Sequence, residues 1–245
     1  MPEYKVGTRE EWQAARDELA KLEAEHAKLG QKATEQRRQL PWVPVEKGYE
    51  FDTEDGKKTL AELFDGRSQL LAYNIMFGPD YELGACPGCS NLGDELDATR
   101  VHLNHRDVTL ICFSRAPIDR LVAYKRRMGW QFPYVSTNGT EFPFDFGLAL
   151  TPEQAQGIPA VREMIANPPE WLQEWGRQVG AKLEDGLREN PGFIAFAREN
   201  GSVHHTYTVT APDPFVAPYN SFLLDRTPKA GFGEPRAWRK DEYPS

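Results

Sequence analysis

The sequence predicts an α/β protein with a mixed, mainly parallel sheet flanked by helices. Three observations carry that expectation. Between residues 68 and 136 apolar and amphipathic runs alternate as strand, helix, strand, helix, strand, which implies crossover connections and parallel pairing. Asn200-Gly201 sits between two strand-like segments, as a hairpin turn does. The composition is that of a globular chain: 245 residues, 40% hydrophobic and 27% charged, enough for one good-sized core with appendages.

In chain order, the first element is a long helix, "TREEWQAARDELAKLEAEHAKLGQKATEQRRQLP". Thr8 and Glu11 have the spacing of a capping box, in which each side chain satisfies the other's free backbone N–H. Pro41 ends the run because proline cannot continue the hydrogen-bond ladder. Trp12, Ala15, Leu19, Leu22, His26, Leu29 and Ala33 recur at alternating spacings of three and four, which makes a seam for a second helix. A helix of about 32 residues is roughly 48 Å long at the usual rise, too long to bury its whole seam on its own domain. The expectation is a homodimer formed through this arm, with His26 a tolerated polar residue in the seam.

After the arm, "GYEFDTEDGKKTL" predicts two short strands around Asp55-Gly56, and "TLAELFDG" a short helix closed by Gly66. "SQLLAYNIMF" is a buried strand. From Cys86 the pattern turns helical, with Leu92, Leu96, Thr99 and Leu103 on one face, acids early and basic residues late. "DVTLICFS" is a second buried strand, "APIDRLVAYKRRMG" a helix with Pro117 in its first turn, and "WQFPYVS" a third strand. Residues 151–191 form a proline-punctuated helical insertion, clearest in "PPEWLQEWGRQVGAKL". "FIAFARENGSVHHTYTV" forms the hairpin, adding two antiparallel strands at one side of the sheet. The stretch "APDPFVAPYNSFLLDRTPKAGFGEP" is expected to pack as irregular coil. The chain thus divides into a helical arm, residues 1–41, a domain over residues 42–232 that holds the insertion, and a tail over residues 233–245.

The formal net charge of −8 points away from nucleic acid and anionic membranes, both of which are bound through excess Lys and Arg. No apolar run is long enough to cross a bilayer, and the start lacks the apolar stretch of a secretion signal. Three cysteines do not make a disulfide framework. The expectation is a cytoplasmic protein in which a close cysteine pair does chemistry.

That pair is Cys86 and Cys89 in "GACPGCSNLGDEL", where the first buried strand hands over to a helix. With Cys86 as N-cap, Pro87 takes the first helical position, where its missing N–H costs nothing. The N–H groups of Gly88 and Cys89 then face back toward the Cys86 sulfur. Together with the positive helix end they favour the thiolate; such positions lower a thiol from about 8.5 into the range of roughly 3.5 to 7.5. Cys89, one turn deeper, is the protected resolving thiol. The pair is therefore assigned as nucleophile and resolver of a thiol–disulfide oxidoreductase, with no cofactor and no metal. Its partners would be a substrate bearing a disulfide or an oxidised thiol, and a cellular thiol reductant.

Other chemistries compete. Cys86, Cys89, His102 and His105 are spaced like a zinc finger, but thirteen residues of unbroken helix would hold the cysteines about 20 Å from the histidines; zinc ligands lie about 2.0 to 2.3 Å from the metal. Peroxiredoxins resemble P-x-x-x-[TS]-x-x-C, and "PDYELGAC" keeps Pro79 but has Leu83 in place of the hydroxyl. A non-catalytic dimeric interaction protein is the remaining alternative. Cys112 is expected to be a core residue, and His204 and His205 to face opposite sides of a strand, with one able to point toward the cysteines. Asp145 is expected to cap a turn, Trp42 and Trp130 to pack, and the insertion either to cover the pair or to decorate the domain.

A CxxC at a strand-to-helix turn, inside β-α-β and followed by a hairpin, resembles the thioredoxin-like fold. The wording is more specific: "EEWQAARDEL", "LPWVPVEKGYEF", "LFDGRSQLLAYNIMFGPDY", "CPGCS", "HRDVTLICFSRAP", "AYKRRMGWQFPYVS", "FDF", "HTY" and "LLDRTPK" resemble a bacterial thioredoxin-like family of unassigned function, the domain-of-unknown-function 899 family, over residues 9–230. The resemblance implies the fold and a thiol role. Thioredoxins carry Gly-Pro between the cysteines, where this chain has Pro87-Gly88. They also carry a cis-proline before the hairpin, and aligning "PGFIAF" on that segment puts Ile194 at its position.

Overall fold

Helix α1, Arg9–Arg38, begins and ends on the expected signals. The Thr8 hydroxyl accepts the Glu11 N–H at 3.1 Å, and the Glu11 carboxylate accepts the Thr8 N–H at 2.8 Å, so each side chain satisfies the other residue's free backbone N–H. Glu10 and Glu11 lie in the first turn and Arg37 and Arg38 in the last, matching the helix dipole at both ends. None of its residues is buried, and Trp12, Leu19, Leu22 and Leu29 are all about half exposed or more. These observations come from a computed structural model that describes residues 5–228 and 238–243. The chain divides into two units, Met1–Pro41 and Trp42–Ser245.

The second unit is built on one sheet. Its described strands are β1 Val43–Pro44, β2 Glu50–Thr53, β3 Gly56–Thr59, β4 Gln69–Asn74, β5 Val108–Ser114, β6 Tyr134–Ser136, β7 Gly192–Glu199 and β8 Ser202–Thr210, in the order β1-β8-β7-β4-β5-β6-β2-β3. Helix α2, Pro87–Asn104, connects β4 to β5, and helix α3, Ile118–Met128, connects β5 to β6; both pairs are parallel. The hairpin β7–β8 lies antiparallel beside β4. Its turn is at Asn200 and Gly201, with φ of 52° and 84°, the left-handed pair that a two-residue hairpin demands. Three parallel strands flanked by an antiparallel hairpin, with the cysteines opening the helix that follows β4, make a thioredoxin-like arrangement.

The strands β4 and β5 are buried on both faces, which explains their continuous apolar runs. On one face Tyr73, Cys112, Tyr134 and Phe193 meet Cys89 and Leu92 of α2 and Leu121, Tyr124 and Met128 of α3. On the other, Leu70, Ala72, Ile111, Phe113, Val135, Ile194 and Phe196 pack against Phe51, Leu63, Phe64 and Phe142. Gly93 in mid-helix has a packing reason: a Cβ there would lie 2.9 Å from the Trp130 ring, whose indole N–H donates to Asp94 at 2.7 Å.

Three local expectations shift. The first hairpin turns at Glu54-Asp55, one residue earlier than expected, because Gly56 supplies its positive φ of 102° as the first residue of β3. That hairpin then joins the sheet through Asp52 and Ser136, a pairing that local pattern does not reveal. The insertion folds as α4 Phe142–Asp145 just before it and then α5 Pro152–Gly157, α6 Pro159–Ala166, α7 Glu170–Val179 and α8 Leu183–Gly186. The stretch expected as coil holds a 3-10 turn, Pro214–Val216, and helix α9, Tyr219–Leu224. Pro214 is the first residue of the 3-10 turn, where its fixed φ suits the position, and Pro218 is the N-cap of α9. The rest of that stretch, from residue 229, and part of the 233–245 tail lie outside the described residues.

Gly192 opens β7 where a Cβ would come 2.5 Å from the Val209 carbonyl oxygen of β8. Backbone cannot yield as a flexible side chain does. Gly192→Ala is therefore expected to destabilise the second unit by about 1–3 kcal/mol, measured as the urea midpoint with the denaturant slope unchanged.

Candidate redox site

The segment between β4 and α2 is held at many points before it reaches the first cysteine. Ile75 N–H donates to the Phe113 carbonyl at 2.9 Å and Ala116 N–H to the Phe77 carbonyl at 2.8 Å. The Arg120 guanidinium donates to the carbonyl of Pro79 at 2.7 Å and to that of Tyr81, and lies 4.9 Å from the Phe77 ring. Gly84 has a φ of 126°, and a Cβ there would meet the Tyr124 ring at 2.6 Å. Only glycine passes both tests. Cys86 N–H then donates to the Met76 carbonyl at 2.8 Å.

Cys86 is the N-cap of α2 and Pro87 its first residue, as expected from the sequence. Both cysteines are free thiols, and both are buried, at 9% and 4% exposure. Their protonation differs. Cys86 is lowered to about 6, first by the Cys89 thiol donating to its sulfur, then by the Cys89 backbone N–H, the Trp175 indole and the Gly88 N–H, all against the opposing pull of burial. The backbone groups act as dipoles facing the sulfur; they do not close a hydrogen-bonded side-chain cap. Cys89 moves the other way, well above an ordinary thiol, because it is the donor to Cys86 and because it is buried. Tyr73, itself buried, is pushed well above its ordinary value, first by burial and then by the nearby Cys89. The arrangement favours the thiolate at Cys86 and the protonated thiol at Cys89.

Trp175 comes from α7, so the insertion reaches the pair. Its ring meets Tyr81 edge-on at 5.6 Å and lies over Gly186, where a Cβ would come within 2.1 Å of the indole. Sequence reasoning passed over Trp175. The one signal was its place in the amphipathic segment, and amphipathicity does not say which residue of a buried face meets a thiol.

The cysteines open onto a groove of about 280 Å³ lined by Tyr73, Met76, Pro191, Pro212, Asp213 and Val216 among others. Pro191, three residues before Ile194, is the proline at the head of β7 that faces the pair. Ile194 itself is fully buried in the opposite core layer. The alignment that put Ile194 opposite the cysteines is thus corrected: strand period places residue 194 on the wrong face. Among the described residues the cis peptide is Ala211–Pro212, at the end of β8, and Pro212 lines the same groove.

The remaining candidates lie elsewhere. Cys112 is fully buried in the core, and burial raises its pKa well above the ordinary value. His204 and His205 pair with Pro44 and Val43 of β1 at the sheet edge. His205 packs on Phe146 and Phe196 and bonds to Thr208 at 2.7 Å, and His204 meets the Trp42 ring at 5.9 Å; neither lines the groove. Asp145 accepts Lys47 at 2.6 Å and the Tyr49 hydroxyl at 2.7 Å, a tie between distant segments in place of the expected turn cap. The helix α2 is unbroken to Asn104, so His102 and His105 stand at its far end from the cysteines, and among the described residues no three His, Cys, Asp or Glu side chains are grouped to hold a metal. At the peroxidase-like position, Leu83 is half exposed and its N–H donates to the Val179 carbonyl at 3.0 Å. No described helix is long and apolar enough to cross a membrane.

Comparison with solved structures finds low-identity likenesses. Peroxiredoxin Q of Xanthomonas campestris is 16% identical with a TM-score of 0.42, over 66% of this chain and 79% of that one. A cysteine-to-serine mutant of Xylella fastidiosa PrxQ is 12% identical with a TM-score of 0.46, over 72% and 86%. Peroxidoxin BcpB of Mycobacterium tuberculosis is 12% identical with a TM-score of 0.43, over 75% and 92%. No curated protein matches the sequence. A family model described as a bacterial protein of unknown function, DUF899, matches residues 1–243, and the chain belongs to that family.

Proposed function

We propose that the protein is a thiol–disulfide oxidoreductase in which Cys86 is the nucleophile and Cys89 the resolving thiol. The observation that carries this reading is the opposite displacement of two adjacent thiols beside an open groove. At pH 7 a thiol at about 6 is about nine-tenths thiolate, where an unperturbed cysteine is only a few per cent ionised. The Cys86 thiolate attacks one sulfur of a disulfide; that S–S bond breaks, and the departing thiolate takes up a proton. Cys89 then loses its proton and attacks the Cys86 sulfur, releasing the second half of the substrate as a thiol. Two electrons have passed to the substrate, and an intramolecular disulfide is left for a cellular thiol to reduce. In this reading the protein works in the reducing cytoplasm and needs no cofactor. The exposed seam of α1, with Trp12, Leu19, Leu22 and Leu29 in heptad-like spacing, supports the further proposal that two copies pair through this helix.

The decisive experiment is alkylation of the reduced protein as a function of pH. One fast-reacting thiol is expected with a midpoint about 6: its rate falls as pH drops through that value and levels off above it. The phase should vanish in Cys86→Ser. Two thiols titrating near 8.5 would sink the catalytic reading. Cys89→Ala should trap a mixed disulfide and raise the Cys86 midpoint, because the largest stabiliser of the thiolate is removed. Fast consumption of hydrogen peroxide that survives Cys89→Ala would favour a peroxidase instead.

Gly186→Ala should push the Trp175 indole away and raise the same midpoint, as should Trp175→Phe. Unchanged titration in both would remove the insertion from the site. For the arm, light scattering should give a dimer mass for the intact chain and a monomer mass for Leu19→Asp/Leu22→Asp.

A further inference from the structure

Arg239 is a charged side chain at 2% exposure, contributed from near the C-terminus. Its Nε and Nη2 both donate to the Ala85 carbonyl, at 3.0 and 2.7 Å, across a sequence separation of 154. Nη2 also donates to the Gln178 carbonyl at 3.0 Å, and Nη1 to the Glu242 carboxylate at 2.7 Å. A buried guanidinium is costly unless its donors are used, and here they are spent on two backbone carbonyls and one carboxylate.

Those carbonyls are not arbitrary ones. The Ala85 carbonyl belongs to the peptide group whose N–H, that of Cys86, donates to Met76. The peptide plane leading into Cys86 is therefore gripped from both sides. Gln178 lies in the last turn of α7, the turn after Trp175. Ser90, at the other side of Cys86, donates to the Cys86 carbonyl at 2.9 Å and is joined to the Tyr124 hydroxyl at 2.8 Å. One cation thus touches both the peptide group that leads into Cys86 and the helix that carries Trp175.

We propose that Arg239 is the positioning residue of the site: by holding Ala85 and the end of α7 with one planar fork, it keeps the Cys86 sulfur and the Trp175 indole in register. The inference rests on Cys86 being the nucleophile. A plain anchoring role for the tail explains less, because the same segment is already fastened at the surface by Lys240 to Asp94 at 2.7 Å and by Arg127 to Asp241 at 2.6 Å. An ammonium could not replace the fork, since a point charge on a flexible stem does not span two carbonyls in a fixed plane.

The test uses the full-length reduced protein and reads the Cys86 titration by ultraviolet thiolate absorbance and by alkylation rate. Wild type is expected at about 6. Arg239→Met should move the midpoint up by about one unit, a roughly tenfold slower alkylation at a pH below both midpoints. Arg239→Lys should fall between the two, and Lys240→Ala should titrate as wild type. If Arg239→Met does not fold, Arg239→Lys decides alone. Wild-type midpoints in every folded Arg239 variant would overturn this inference and leave the nucleophile reading standing. A wild-type midpoint near 8.5 would overturn both.

Discussion

Two buried thiols whose protonation is displaced in opposite directions sit where the sheet hands over to helix α2. Cys86 is lowered with Cys89 as its largest stabiliser, and Cys89 is raised, so ionisation is favoured at Cys86. Burial alone would protonate both thiols. The negative charge persists because the turn from β4 into α2 directs the N–H groups of Gly88 and Cys89 toward it and α7 adds an indole. Each donor is weak by itself. Collected in a region with little water they act together, since the low local dielectric strengthens each one.

The supports for this charge come from far apart in the chain. Trp175 arrives on a helical insertion, Pro191 at the head of the returning hairpin, and Arg239 from a segment near the C-terminus. Glycine makes room for two of the contacts: Gly186 under Trp175, and Gly84 against Tyr124. The site is thus a property of the assembled second unit and not of the CxxC segment. A thiol in the same local sequence, without the pieces that converge on it, would have the helix end and little else.

The opposite layer of the sheet has a different task. It is crowded with rings, including Phe51, Phe113, Phe142 and Phe196, whose centroids lie 5.0–6.1 Å apart where they meet Phe142. Aromatic packing of this kind buries large apolar areas with few rotatable bonds. It gives β4 and β5 a rigid backing, so the ends of these strands hold Cys86 and its loop in place. Asp145, Lys47 and Tyr49 lock that backing at its edge.

Local rules carried the sequence a long way. The capping box at Thr8, the crossover pattern from residue 68 to 136, the Asn200-Gly201 turn and the Cys86 N-cap are all dictated by neighbours within a few residues, so periodicity and turn chemistry exposed them. Pairings across long stretches were not legible: Asp52 beside Ser136, Pro191 rather than Ile194 facing the cysteines, the Trp175 indole acting on Cys86, and Arg239 on Ala85. Sequence by itself determined that a thiol would sit at the positive end of a helix. Only the tertiary structure decided how far that thiol is ionised and what surrounds it, because charge in a buried site answers to every dipole within a few ångströms, wherever in the chain it originates.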